Sequence, residues 1–182
     1  MNNTSDRVVL VNHDAAAAGE YAIAYRLITI GVMLVAGSNS VMVPRLYREP
    51  AGRPAVRSAV ALNAKAALVG IVATALCLLV AHGILPDAEF TSLPLAVLLL
   101  SSVIFARATS MPLLDALTAS GEQHVRTRIL VGAAVANLAA NLALVSTFGL
   151  WAAVGSTLAS EGLVVWLSAR RVARTPTHER SE

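Results

Sequence analysis

Apolar positions along this chain fall into five long runs separated by short polar gaps: Tyr21–Val43, Ala59–Ala81, Leu93–Ala119, Ile129–Phe148 and Leu150–Ala169. Each run is near or above the ~20 residues that a helix needs to cross a bilayer. The arginines between them occupy alternate gaps. Arg45, Arg48, Arg53 and Arg57 follow the first run, Arg126 and Arg128 follow the third, and Arg170, Arg171, Arg174 and Arg180 follow the fifth. The other gaps, His13–Glu20, His82–Ser92 and Phe148–Gly149, contain no lysine or arginine. Short basic loops are retained on the cytoplasmic side of a membrane, so this alternation predicts helices that thread the lipid in opposite directions, with the C-terminus in the cytoplasm. The predicted fold is all-α: a polytopic transmembrane helix bundle with five complete spans.

Turn chemistry places the ends of these elements. Pro44 is expected to end the first span, because proline lacks an N–H and restricts the residue before it. Pro50, Gly52 and Pro54 mark a cytoplasmic turn. Pro94 sits where the first turn of the third helix should be, a tolerated position. Pro112 lies inside that helix and is expected to kink rather than break it, since neighbouring helices re-satisfy the freed carbonyl. Ser120-Gly121 should end the third helix, and Phe148-Gly149 should close an outer hairpin of two helices. Val8–Val11 is too short to span and reads as the last turns of a partial N-terminal span. No linker divides the chain. One transmembrane domain is expected over residues 1–174, followed by a disordered cytoplasmic tail over residues 175–182.

Composition narrows the function classes. The 182 residues are 56% hydrophobic and 14% charged, against about 25% charged in an average soluble domain. The formal net charge is +3, but the basic groups are dispersed through short loops and only 4% of residues are aromatic. A basic patch with stacking aromatics is absent, which argues against a nucleic-acid partner. The charge reads instead as topology, with some attraction to anionic membrane lipid. Cys77 is the sole cysteine, so neither an internal disulfide nor a cysteine-based metal site can form. The N-terminus lacks the basic and apolar regions of a cleavable signal peptide.

Four histidines are scattered across loops, and no HExxH, P-loop, GxGxxG or GxSxG motif occurs. The expectation is therefore a protein that is not an enzyme and uses no cofactor or metal. The informative polar groups lie inside the spans. Arg26, Arg107 and Glu161 should sit ~13–20 Å below the outer membrane face, at 1.5 Å of rise per residue. A charge at the bilayer centre costs at least ~2.5–3.5 kcal/mol on insertion scales, so these groups should face protein or a wet cavity. Two readings stay open: an arginine pairs with Glu161 and pins helices together, or the arginines line a cavity for an anionic substrate, to which the guanidinium fork is suited. Lys65 is expected to snorkel to the cytoplasmic interface, and Asp115 to be interfacial. Asn137 and Asn141 are four apart and share a helix face, where they can hydrogen-bond to a neighbouring helix or contact a substrate. Gly132, Ala136 and Ala140 in the fourth span, with Gly155 and Ala159 in the fifth, have the spacing of small residues that allow close helix approach.

A resemblance covers nearly all of the chain in order. AGEYAIAYRLITIGVMLVAGSNSVMVPRL, Ala18–Leu46, resembles the Gly-x-Tyr-x-x-Ala-x-Arg segment, ending in proline, of polysaccharide flippases. SDRVVL before it is similar to the tail of the preceding helix. MPLLDALTASGEQ, Met111–Gln123, is similar to their proline-containing helix that ends in glycine before a cytoplasmic turn. NLAANLALVSTFGLWAAVGSTLASE, Asn137–Glu161, resembles their late helix hairpin. The resemblance implies part of the second lobe of an exporter of the multidrug/oligosaccharidyl-lipid/polysaccharide superfamily, in which a cavity lies between two pseudosymmetric lobes. A separate chain or further segment would then supply the first lobe. The implied activity is translocation of an anionic undecaprenyl-linked glycan across the bacterial inner membrane, with Arg26, Arg107, Glu161, Asn137 and Asn141 as candidate substrate contacts. A cation-coupled drug exporter of the same superfamily and a non-transporting membrane assembly subunit are the alternatives.

Overall fold

The computed structural model describes residues 15–48, 53–84 and 93–174. Among these the chain is five helices: α1 (Ala15–Arg48), α2 (Arg53–Ile84), α3 (Leu93–Ala119), α4 (Gln123–Phe148) and α5 (Leu150–Arg174). All five are long and apolar enough to cross a membrane, and the chain is a multi-pass membrane protein by that measure. The partial span before α1, the Pro50-Gly52 turn, the loop after Ile84 and the tail beyond Arg174 lie outside the described residues.

The surface is what an oily solvent requires. Val69, Leu79, Leu98, Val135 and Leu142 are each more than half exposed. In water such a continuous apolar surface would drive association, whereas hydrocarbon solvates it at no cost. Buried positions on α1 recur at Tyr21, Ala24, Ile28, Gly31, Val35, Asn39, Met42 and Leu46. That spacing keeps one narrow face of a long helix against its neighbours. The neighbours are α2 and α3, while α4 and α5 form an antiparallel hairpin that joins the rest chiefly through α5 against α3. Helix α3 is thus the central element, and it is buried on more sides than α1, α2 or α4.

Packing also gathers the arginines. Leu46 near the end of α1, Ala55 and Val56 at the start of α2, and Leu113 and Ala116 late in α3 form one cluster, with Val172 of α5 against it. Leu114, Leu117, Ile129 and Val164 form a second cluster beside it. The helix ends that carry Arg45, Arg48, Arg57, Arg126, Arg128, Arg170, Arg171 and Arg174 therefore share one end of the bundle, as the alternate-gap pattern requires. The opposite end closes on Tyr21, Leu93, Val145 and Leu150.

Two expectations about helix ends and contacts are corrected. Helix α1 does not stop at Pro44 but runs through it to Arg48. Pro44 is exposed one turn from the helix end, so the Ser40 carbonyl it frees can be hydrated instead of paired. Close helix approach is not made by Gly132 and Ala136 with Gly155 and Ala159, all of which are exposed. It occurs where α1 crosses α2. A Cβ on Gly70 would lie 2.8 Å from the Gly31 Cα, and one on Gly31 would collide with Ile104 Cδ1 of α3. Near this crossing Thr74 Oγ1 donates to the Leu27 carbonyl, 3.3 Å away, and to the Gly70 carbonyl at 2.8 Å.

Other ends match their chemistry. Helix α3 continues unbroken through Pro112. It ends where Gly121 adopts φ 81, with Glu122 N–H donating to Leu117 O (2.8 Å) and Gly121 N–H to Thr118 O (3.0 Å). That is a Schellman cap, which needs the left-handed conformation that glycine adopts freely. Gly149 alone separates α4 from α5, at φ 52.

Candidate functional site

Polar side chains in the bundle form two buried layers. The first lies near mid-helix. Arg107 is 14 residues into α3 and 12 from its end, roughly 20 Å from either terminus at 1.5 Å per residue. Its Nη2 donates to Glu161 Oε1 of α5 at 2.5 Å, and the two side chains are 16% and 6% exposed. Of the two readings open from sequence, the pinning contact is present, and it belongs to Arg107 rather than Arg26. About one turn away on α5, Thr157 Oγ1 shares a 2.9 Å hydrogen bond with the phenol of Tyr21, which is fully buried and stacks on Tyr25 with centroids 6.1 Å apart. These contacts tie α1, α3 and α5 at one level.

Asn137 and Asn141 both lie on the buried face of α4. Asn141 Nδ2 donates to the Asn137 carbonyl (3.0 Å), and Asn141 Oδ1 accepts from Ser156 Oγ of α5 (3.0 Å). They clasp the α4–α5 hairpin and do not meet the Arg107–Glu161 pair in any hydrogen bond among the described residues.

The second layer is about 12 Å further along α3, eight residues on from Arg107. Asn63 Nδ2 of α2 donates to Asn39 Oδ1 of α1 (2.9 Å), and Asn39 Nδ2 donates to Asp115 Oδ2 (2.6 Å). Arg126 Nη1 of α4 donates to Asp115 Oδ1 (3.0 Å) and to Thr118 Oγ1 (2.8 Å). Four helices meet in this chain of bonds. Sequence reasoning placed Asp115 at the interface but missed the network, because Asn39, Asn63 and Asp115 are 24 to 76 residues apart and no local spacing links them. Beyond the layer, the Arg171 fork holds Glu122 through Nε–Oε2 (2.7 Å) and Nη2–Oε1 (2.8 Å). That bidentate bond lowers the Glu122 carboxyl below the ordinary glutamate range, against a weaker opposing effect of burial.

Arg26 stands apart from both layers. It is exposed on the side of α1 opposite the buried face, among exposed Ile23, Ile30 and Met33. No hydrogen bond or ion pair joins it to another described residue. Its depth follows from its neighbours. Tyr21, five residues earlier, meets Thr157, seven residues below the start of α5. Gly31, five residues later, meets Ile104, eleven below the start of α3. At 1.5 Å per residue, Arg26 therefore lies on the order of 10–20 Å inside that end of the bundle. Lys65 is likewise exposed, on α2 nearer the arginine-rich end.

Among the described residues no group of three or more His, Cys, Asp or Glu is placed to hold a metal ion. Comparison of the chain with protein-family models, with curated proteins and with solved structures finds no match.

Proposed function

We propose that this chain forms one lobe of a flippase-like transporter of the inner membrane, which moves an anionic lipid-linked glycan by alternating access against a second lobe. The reading is carried by Arg26. A guanidinium held roughly 10–20 Å inside an apolar slab, on a helix face turned away from its own bundle, is costly if that face meets acyl chains. The cost disappears if the face lines a wet cavity between two lobes, near the depth at which such transporters bind their substrates. There a fork of N–H donors would meet the phosphates and acidic sugars of the substrate, while its polyprenyl tail stays in lipid. Helix α1, fixed to α2 and α3 by the Gly31–Gly70 crossing, holds that arginine on a rigid element. The resemblance of Ala18–Leu46 to polysaccharide flippases supports the same assignment.

Arg107 takes a different part in this scheme. Its pairing with Glu161 neutralises both charges within the lobe, so the lobe can rock as one body. Among the described residues the pairing also leaves no deep carboxylate free to coordinate a cationic drug, which ranks the drug-exporter reading second.

The test is glycan export in cells that depend on this chain. Depletion should reduce surface glycan and accumulate its lipid-linked precursor. Wild type should restore export, Arg26→Lys should restore it in part, and Arg26→Ala should fail while inserting normally. Full export by well-inserted Arg26→Ala, or normal surface glycan on depletion, would remove the proposal.

A further inference from the structure

At the arginine-rich end, α4 and α5 border an open groove of about 330 Å³, lined by Val125, Ile129, Leu167, Arg170, Arg171 and Arg174. Its volume is at the small end of ligand sites, enough for a head group and the start of a chain but not for a folded partner. Three of its six lining residues are apolar and three are guanidinium groups. Of the latter, only Arg171 has a carboxylate partner among the described residues, Glu122. Arg170 lies 5.3 Å from the centroid of the Trp166 ring, a stacking contact that holds the guanidinium plane without neutralising it. Arg174 follows Arg170 by one helical turn, so the two share a face of α5. The remaining wall, Val125 and Ile129 of α4 with Leu167 of α5, is apolar and belongs to the cluster that packs α4 and α5 against α3.

We propose that this groove binds an anionic phospholipid from the surrounding leaflet, its phosphate between Arg170 and Arg174 and its acyl chain along Val125, Ile129 and Leu167. Charge complementarity selects the occupant. One carboxylate faces three guanidinium groups here, leaving an excess positive charge at the level where a spanning helix meets phospholipid head groups. A water-soluble anion would use the arginines but not the apolar wall, whereas a zwitterionic lipid would use the wall but bring its own cation to the arginines. The site does not depend on what the protein transports.

Trp166 supplies the reporter. The full chain carrying Trp151→Phe is reconstituted in nanodiscs of phosphatidylcholine, and Trp166 fluorescence is recorded as lipid with brominated acyl chains is added. Brominated phosphatidylglycerol should quench Trp166 at several-fold lower mole fraction than brominated phosphatidylcholine. The Arg170→Gln/Arg174→Gln pair should abolish that preference, since each surface arginine is worth about a fivefold change in affinity for anionic lipid. Arg45→Gln/Arg48→Gln removes equal charge from the same end of the bundle and should leave the preference intact. The idea is overturned by equal quenching from the two lipids, by an equal loss in both double variants, or by displacement of the lipid with millimolar glycerol phosphate. The first two outcomes would mean no dedicated site, and the third a site for a soluble anion. Retention of the preference by Arg170→Lys/Arg174→Lys, which keeps the charge, separates loss of binding from loss of folding.

Discussion

Removing one member of the Arg107–Glu161 pair should destabilise the bundle far more than removing both. The carboxylate of Glu161 is 6% exposed and its guanidinium partner 16%, so neither reaches bulk water on its own. Arg107→Met replaces the donor with an apolar chain of similar length and leaves Glu161 desolvated beside it. Breaking a buried pair in this way costs about 3–5 kcal/mol, whereas replacing both partners with packed apolar residues is often neutral. A Coulomb estimate for charge centres ~4 Å apart at an effective dielectric constant of 20 gives about 4 kcal/mol, which agrees. Glu161→Leu alone should cost a comparable amount, and Arg107→Met/Glu161→Leu should return to within about 1 kcal/mol of wild type. The coupling energy from that cycle, measured by reversible unfolding in mixed detergent micelles, should be roughly 3 kcal/mol or more. Additive single effects, with coupling below about 0.5 kcal/mol, would mean that the two charges are solvated separately and that the pair does not join α3 to α5.

Two further perturbations test other parts of the fold. Gly70→Ala places a methyl 2.8 Å from the Gly31 Cα, where the opposing atom is backbone and cannot rotate away. The same unfolding assay should show a loss of about 1–3 kcal/mol, while Gly155→Ala, whose Cβ meets nothing within 4 Å, should stay within about 0.5 kcal/mol. Arg171 depresses the Glu122 carboxyl in the folded protein, so that contribution to stability is present above the unfolded glutamate range and lost as pH falls through the lower folded value. Thermal midpoints of wild type should therefore drop more steeply than those of Glu122→Gln as the pH is lowered from 6 to 3, and parallel curves would refute the contact.

The sequence resolves the helices better than their contacts. Bilayer length is a local property, and the third run, Leu93–Ala119, coincides with α3 residue for residue. Helices α1, α2, α4 and α5 extend beyond their apolar runs at the arginine-rich end, since Arg45, Arg126 and Arg171 are good helix formers in the aqueous interface as well. Glu161 could be assigned a basic partner, but choosing between Arg26 and Arg107 required the rotation of α1, and every arginine in a fully apolar run looks equally deep. Small residues misled for a related reason. Alanine is so common here that Gly132, Ala136, Gly155 and Ala159 present a packing pattern without a partner, while the crossing falls at the isolated Gly31 and Gly70. The Asn63–Asn39–Asp115–Arg126 chain has no local signature, because it exists only once four helices are packed.

The central claim is that α1 crosses the membrane with the Arg26 face in water, at a depth where the exposed face of α2 meets oil. Thiol accessibility in native membranes measures this directly. On a Cys77→Ser background, Arg26→Cys should react with a membrane-impermeant thiosulfonate at a rate within about tenfold of that at an exposed loop position. Leu76→Cys, 56% exposed on α2 and six residues beyond the Gly31–Gly70 crossing toward the same end, should react at least a hundredfold more slowly. An Arg26→Cys thiol as inert as Leu76→Cys would place that face against acyl chains and contradict the account.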